Sequence, residues 1–160
     1  MASLTECKSG EQSVRAELIM PLITERLAAG HTVRNLNFQG TSMLPMLRQG
    51  KDFVEITKLP EQLKKYDLPV YRNSNGKYVM HRVVEVHDGY YICLGDNTYH
   101  REKVVPEQMV AVVRSFVRGG RQISVENRVY RVYCRVWCAV FPIRYFVKRV
   151  EWRIRQIVKK

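Results

Sequence analysis

Three short stretches of this sequence carry side chains whose types and spacing could do chemistry together. GTSMLPMLRQG, residues 40–50, holds Ser42 between a threonine and a methionine. YVMHRVVEV embeds His81 among apolar residues, and LGDN sets Asp96 just after the run YYICL. A serine hydroxyl is a weak nucleophile at neutral pH and needs a neighbouring base to take its proton. Histidine suits that task, because an ordinary pKa of about 6.5 leaves it mostly neutral yet able to accept a proton. His31 precedes the strand-rich region, His87 abuts Asp88-Gly89 and His100 lies in a polar stretch, so His81 is the candidate base. A base histidine gains from a carboxylate that fixes its tautomer and stabilises the imidazolium. Asp96 is the candidate, since its strand pairs with the His81 strand if Asp88-Gly89 is the turn. Each residue alone has a plainer reading: a Gly-Thr-Ser turn, a satisfied strand histidine, a Gly-Asp-Asn loop.

Other elements must hold these residues in place. Residues 13–29 carry Val14, Leu18, Ile19, Leu22, Ile23 and Leu27 at helical spacing, with Gly30 as a stop. Pro21 predicts a kink or two short helical pieces. From residue 32 the pattern shortens to strands, TVRNLNF before Ser42 and DFVEIT after it. Asn75-Gly76 separates PVYR from KYVMHRVVEVH, Asp88-Gly89 separates that run from YYICL, and Gly119-Gly120 separates VAVVRSFV from RQISV. Such pairs favour two-residue hairpin turns, because both central positions need positive φ. The expectation is a mainly β, antiparallel domain over residues 32–125 with His81 in mid-strand. An N-terminal helical segment, residues 1–31, precedes it, and a basic amphipathic tail, residues 126–160, follows.

The formal charge of +12 asks for an anionic partner. Residues 126–160 hold ten basic residues against Glu126 and Glu151, so eight of those twelve net charges lie in the tail. There Val129, Tyr133, Val136 or Trp137, and Val140 fall on one side. Beyond Pro142, Ile143, Phe146, Val147, Val150, Ile154 and Ile157 resume the pattern, which predicts two amphipathic helices hinged at Pro142. Either this apolar face packs on the β domain, or it meets an anionic membrane surface with Trp137, Phe141, Tyr145, Phe146 and Trp152 at the interface. No stretch approaches the roughly 20 apolar residues of a transmembrane helix. MASLTECKSGEQ lacks the apolar segment of a cleavable signal, so a cytoplasmic chain with Cys7, Cys93, Cys134 and Cys138 reduced is expected, peripheral at the inner membrane surface if the tail binds lipid. Cys134 and Cys138 find no His or Cys pair to complete a zinc set, and neither metal nor cofactor is expected.

Gly40, Ser42, Met43, Pro45 and Gly50, followed by His81-Arg82 and Gly95-Asp96-Asn97, resemble in order and spacing the family of type I signal peptidases and LexA-type self-cleaving repressors. The resemblance covers roughly residues 32–115. It implies a coiled β-sheet or barrel-like peptidase domain, with Ser42 beside a groove that takes substrate as an added strand. The family divides by its general base: one branch uses lysine, while archaeal, endoplasmic-reticulum and sporulation-associated signal peptidases use histidine. With His81-Arg82 at that position the sequence resembles the histidine branch, in which the Gly-Asp-Asn aspartate, here Asp96, also matters. A second acid six residues on maps to Glu102, a glutamate where aspartate is usual. Gly40, Thr41, Met43 and Pro45 would line the oxyanion and substrate site, with backbone N–H groups around Ser42 holding the oxyanion. Gly40 stands where some relatives carry a hydroxyl. The sequence departs at Gly50-Lys51-Asp52, one residue looser than the usual Gly-Asp, and in lacking a membrane-spanning anchor, which argues against preprotein processing in the usual geometry.

Three functions from different classes follow. The first is a Ser42–His81 endopeptidase assisted by Asp96. The second is a peptide-binding module of the same fold without turnover. The third is a LexA-like regulator that cuts itself, for which Ala28-Ala29-Gly30 is the only candidate point upstream. Intact Ser42, His81 and Asp96 favour the first. With no helix-turn-helix ahead of residue 32, nucleic acid is not the expected partner.

Overall fold

The computed structural model describes residues 18–158, with side chains at 148 and 151–158 excepted. Cys7, the predicted helical residues 13–17, and Lys159 and Lys160 lie outside the described residues. The chain runs α1 (18–28), β1 (Val33–Leu36), β2 (Phe53–Thr57), β3 (Pro69–Arg72), β4 (Tyr78–Met80), β5 (Arg82–His87), β6 (Tyr90–Leu94), β7 (Glu102–Val104), β8 (Met109–Arg118), β9 (Arg121–Ser124), α2 (Arg128–Ala139) and α3 (Phe141–Val158). The architecture is mainly β, and all its strand pairs are antiparallel. One sheet has the order β1-β2-β8-β3-β4, with β9 also on β8, and a second has the order β5-β6-β7. No closed barrel forms, because β1 and β4 end the large sheet without pairing each other.

The hairpins fall where glycine pairs predict them, but their turns differ. At Gly119-Gly120 both residues have positive φ, 56° and 77°, the geometry that a two-residue turn matched to strand twist requires. At Asp88-Gly89 only the glycine does, and Asn75-Gly76 belongs to a longer loop in which Asn73 N–H donates to Lys77 O at 2.9 Å. The expected mid-strand histidine is corrected. β4 ends at Met80 in the large sheet and β5 starts at Arg82 in the small one, so His81 sits where the chain crosses between sheets.

That crossing makes two cores. β3 has both faces covered, and its alternation sends Val70 into a core with Met43, Met46, Ile56 and Phe116, and Tyr71 into a second with Val83, Cys93 and Val104. α1 closes the first core with Met20, Ile23 and Leu27. Its described part is unbroken at Pro21, against the expected kink. It ends on Gly30, φ 81°, where His31 N–H reaches Arg26 O and Gly30 N–H reaches Leu27 O, the paired bonds of a left-handed helix stop.

Asn127 caps α2 by accepting from the N–H groups of Val129 and Tyr130. Tyr130 and Cys134 are its buried residues, with Tyr133 and Trp137 partly buried. The inward face is therefore turned from the expected one, and Val129 and Val136 are 79% and 56% exposed. Buried Arg82, described below, draws Tyr130 and Cys134 inward. The break before α3 falls at Val140, and Pro142 lies in the first turn of α3, where its missing N–H costs nothing.

Candidate functional site

The Ser42 stretch is a compact loop between β1 and β2. Gly40 has φ 100°, a conformation side chains resist, and its N–H donates to Gln49 Oε1 at 3.0 Å. Met43 and Met46 anchor the loop in the core, while Thr41 and Pro45 face outward. Asp52 closes it by accepting from Arg48 N–H at 2.8 Å and from the Arg48 guanidinium at 3.0 and 2.9 Å. The hydrogen bonds from Arg48 outweigh burial and hold the Asp52 carboxyl below the usual carboxylate range. The looser spacing at Gly50-Lys51-Asp52 thus still delivers an acid that staples the loop.

Ser42 is half-buried, and its backbone carbonyl accepts Asn97 N–H at 2.7 Å. Asn97 Nδ2 also donates to Thr41 O at 3.2 Å, so the Gly-Asp-Asn loop is bound to the serine loop. Gly95 explains the closeness, since a Cβ there would lie 2.9 Å from Ser42 O. Gly95→Ala is expected to push the two loops apart and cost about 1–3 kcal/mol in chemical denaturation, with any activity of Ser42 falling alongside.

His81 is buried, and its Nδ1 lies 3.0 Å from Tyr71 Oη and 3.5 Å from Glu102 Oε1. Tyr71 Oη donates to Glu102 Oε2 at 2.8 Å. Burial, with Cys93 and Glu102 beside it, raises the Tyr71 pKa and keeps its proton on. A hydroxyl that gives its one proton to Glu102 can only accept from His81, which assigns the imidazole proton to Nδ1 and leaves Nε2 with its lone pair. Among the described residues nothing hydrogen-bonds Nε2, and it is not among the polar atoms sealed from solvent. Burial lowers the His81 pKa more than the carboxylates of Glu102 and Asp96 raise it, so the ring is neutral at physiological pH. A neutral, oriented imidazole with a free nitrogen can accept a proton.

Asp96 is brought to the right neighbourhood but to a different partner. Its oxygens accept from Arg82 Nε at 2.8 Å and Arg82 Nη2 at 2.7 Å, a two-pronged pair sealed in the core. The carboxylate touching His81 is that of Glu102. The reason is local: Arg82 is fully buried, and a buried guanidinium needs a carboxylate facing it. Burial alone would favour the neutral guanidine, yet Asp96 outweighs it and keeps Arg82 charged. Arg82 also donates to Tyr66 O, Tyr130 Oη, Cys134 Sγ and Met46 Sδ, and so ties α2 to the serine loop.

A cavity of about 830 Å³ opens beside Ser42. Leu36 and Phe38 line it from the β1 side, Tyr78 and Met80 from β4, and Met20 and Ile23 from α1. The two unpaired edges of the large sheet therefore border one apolar hollow, with Ser42 on its wall and His81 next in sequence to Met80. Ser42 Oγ itself makes no hydrogen bond to His81 or to any other described residue. Tyr71 and the buried Arg82 are functional candidates that sequence reasoning missed. The one available signal was an arginine directly after a histidine inside an apolar run. Nothing marked Tyr71 out from other strand tyrosines.

Among the described residues no group of His, Cys, Asp and Glu is arranged to hold a metal ion, and Cys93, Cys134 and Cys138 are free thiols. No helix there is long and apolar enough to cross a membrane. In comparisons with family models, with curated proteins and with solved structures, nothing matches the chain.

Proposed function

We propose that this chain is a serine endopeptidase of the signal peptidase and LexA-like kind, with Ser42 as nucleophile and His81 as general base. The observation that carries the reading is the cavity bordered in common by Ser42, by the free sheet edges β1 and β4, and by the residue preceding His81. An extended peptide enters between those edges as an added strand, held by main-chain hydrogen bonds, and seats an apolar side chain in the hollow. Ser42 Oγ attacks the peptide carbonyl carbon while its proton passes to His81 Nε2. Backbone N–H groups around Ser42 hold the oxyanion. The imidazolium, stabilised by Glu102 through Tyr71, then gives its proton to the departing amine. Water repeats the sequence on the acyl-enzyme and restores Ser42. Glu102 thus takes the orienting role expected of Asp96, and Asp96 positions the serine loop through Arg82 and Asn97.

Ser42 and His81 share no hydrogen bond in this structure, and catalytic hydrogen bonds of this kind tighten when substrate is seated. The same absence favours the second reading, a silent peptide-binding module. Labelling of Ser42 by a serine-directed phosphonate separates the two, since a silent module stays unlabelled. The self-cleaving reading is less favoured: Ala28-Ala29-Gly30 forms the capped end of α1, and cutting there requires that end to unwind.

The Glu102–Tyr71–His81 chain makes its own prediction. The rate rises with pH as the imidazolium loses its proton, and this acid limb lies below the ordinary histidine range because the folded pKa is lowered. A carboxylate favours the imidazolium, so Glu102→Gln moves the limb to still lower pH while reducing the plateau rate. Tyr71→Phe leaves Nδ1–H without its acceptor and costs about 10²-fold in kcat by misaligning the ring. A pH–rate profile of Glu102→Gln overlying that of wild type would remove Glu102 from the mechanism.

A further inference from the structure

We infer that α2 and α3 dock this protein on an anionic lipid surface, with apolar side chains of both helices entering the interface and arginines meeting the headgroups. Among the described residues, eight of the thirteen exposed large hydrophobic side chains lie on these two helices. Val129, Val132 and Val136 form a stripe on α2, and Ile143, Phe146 and Val150 form another on α3. Phe146 and Ile143 are 67% and 66% exposed, too open for residues the fold itself uses.

Packing decides which side of α2 is free. Tyr130 and Cys134 are buried, Trp137 Nε1 donates to Asp96 O at 3.1 Å, and Arg144 Nη1 donates to the same oxygen at 2.8 Å. Arg144 also stacks on the Trp137 ring at 3.8 Å. With those groups turned inward, the valines remain outward, beside exposed Arg128 and Arg135, and Arg149 is exposed on α3. Arginines around an apolar stripe suit headgroup phosphates over acyl chains. A second copy would set two tails against each other, each holding eight of the net positive charges. Nucleic acid would leave the valines and Ile143 without use, and Trp137, the side chain best suited to stack on a base, is engaged inward. Arg144 and Trp137 meet the loop that binds Ser42 O, so docking brings the serine loop close to the lipid.

The inference does not depend on the peptidase reading, because Ser42→Ala should bind vesicles as wild type does. The test is co-sedimentation of the full chain with phosphatidylcholine vesicles and with vesicles that include phosphatidylglycerol. Expected is binding at least about tenfold tighter to the anionic vesicles, weakening as salt rises. The exposed pair Ile143→Glu/Phe146→Glu, and separately Arg128→Gln/Arg135→Gln, should each weaken it about tenfold with circular dichroism and melting unchanged. Equal binding to both vesicle types, or variants that bind like wild type, overturns the inference. So does sedimentation velocity showing a dimer that Ile143→Glu/Phe146→Glu dissociates while vesicle binding is absent, or tighter binding to duplex DNA than to anionic vesicles.

Discussion

Ser42→Ala is expected to lose all labelling by a serine-directed phosphonate and to cleave peptides at least ~10³-fold more slowly, with stability within about 0.5 kcal/mol of wild type. The fold loses little, because Ser42 Oγ makes no hydrogen bond to any described residue and the loop is held by backbone contacts to Asn97 and by Asp52. His81→Ala should match it in rate, since nucleophile and base act as a unit and their losses do not add. It should differ in stability, because it opens a void beside Tyr71 and removes one partner of that hydroxyl. His81→Lys is the sharper probe. The resemblance implies that lysine serves as base in the sister branch, so partial activity supports a shared geometry. Mass-spectrometric profiling on a peptide library, wild type beside Ser42→Ala, reads rate and substrate preference together. The size of the cavity beside Ser42 predicts that apolar residues larger than alanine are accepted there. Equal labelling of wild type and Ser42→Ala would sink the enzyme reading.

Asp96→Ala is expected to act on stability. It leaves the Arg82 guanidinium buried without its carboxylate, a loss of about 3–5 kcal/mol, or on the order of 10 °C in melting temperature for a chain of this size. The damage should spread, since Arg82 also holds Met46 beside the serine loop and Tyr130 and Cys134 on α2. Arg82 further accounts for Tyr66, whose φ of 83° is strained for a bulky residue and whose carbonyl accepts from Arg82 Nη1. Replacing both partners, Arg82→Met with Asp96→Leu, should recover much of the loss, because two apolar groups remove the desolvation cost along with the attraction. Urea unfolding of the singles and the double measures this coupling. An Asp96 variant that keeps its stability and loses only rate would return Asp96 to the histidine and displace Glu102.

Local signals in the sequence determined a good deal about this protein. Glycine pairs marked three antiparallel hairpins, the change from helical to strand spacing near residue 32 separated α1 from the sheets, and Pro142 signalled a second helix in the tail, although the break itself falls at Val140. Ser42, His81 and Asp96 were also legible as candidates from residue type and order along the chain, whereas Glu102 was nominated by the family resemblance alone. Partnership was not legible. Which carboxylate meets His81 depends on the crossing from β4 to β5, which turns consecutive residues His81 and Arg82 toward different surroundings, and no local pattern encodes that. Tyr71 entered for the same reason: period-two alternation places it on one face of β3, but only the packing of the second sheet makes that face the floor beneath the histidine. The tail obeys the same division. Amphipathic spacing predicted helices, whereas the inward face of α2 was decided by Tyr130 and Cys134 packing onto a buried arginine 48 and 52 residues earlier in the chain. Local propensities act between near neighbours, while burial and charge pairing act between whatever the fold brings together, and the second set of forces assigned the partners.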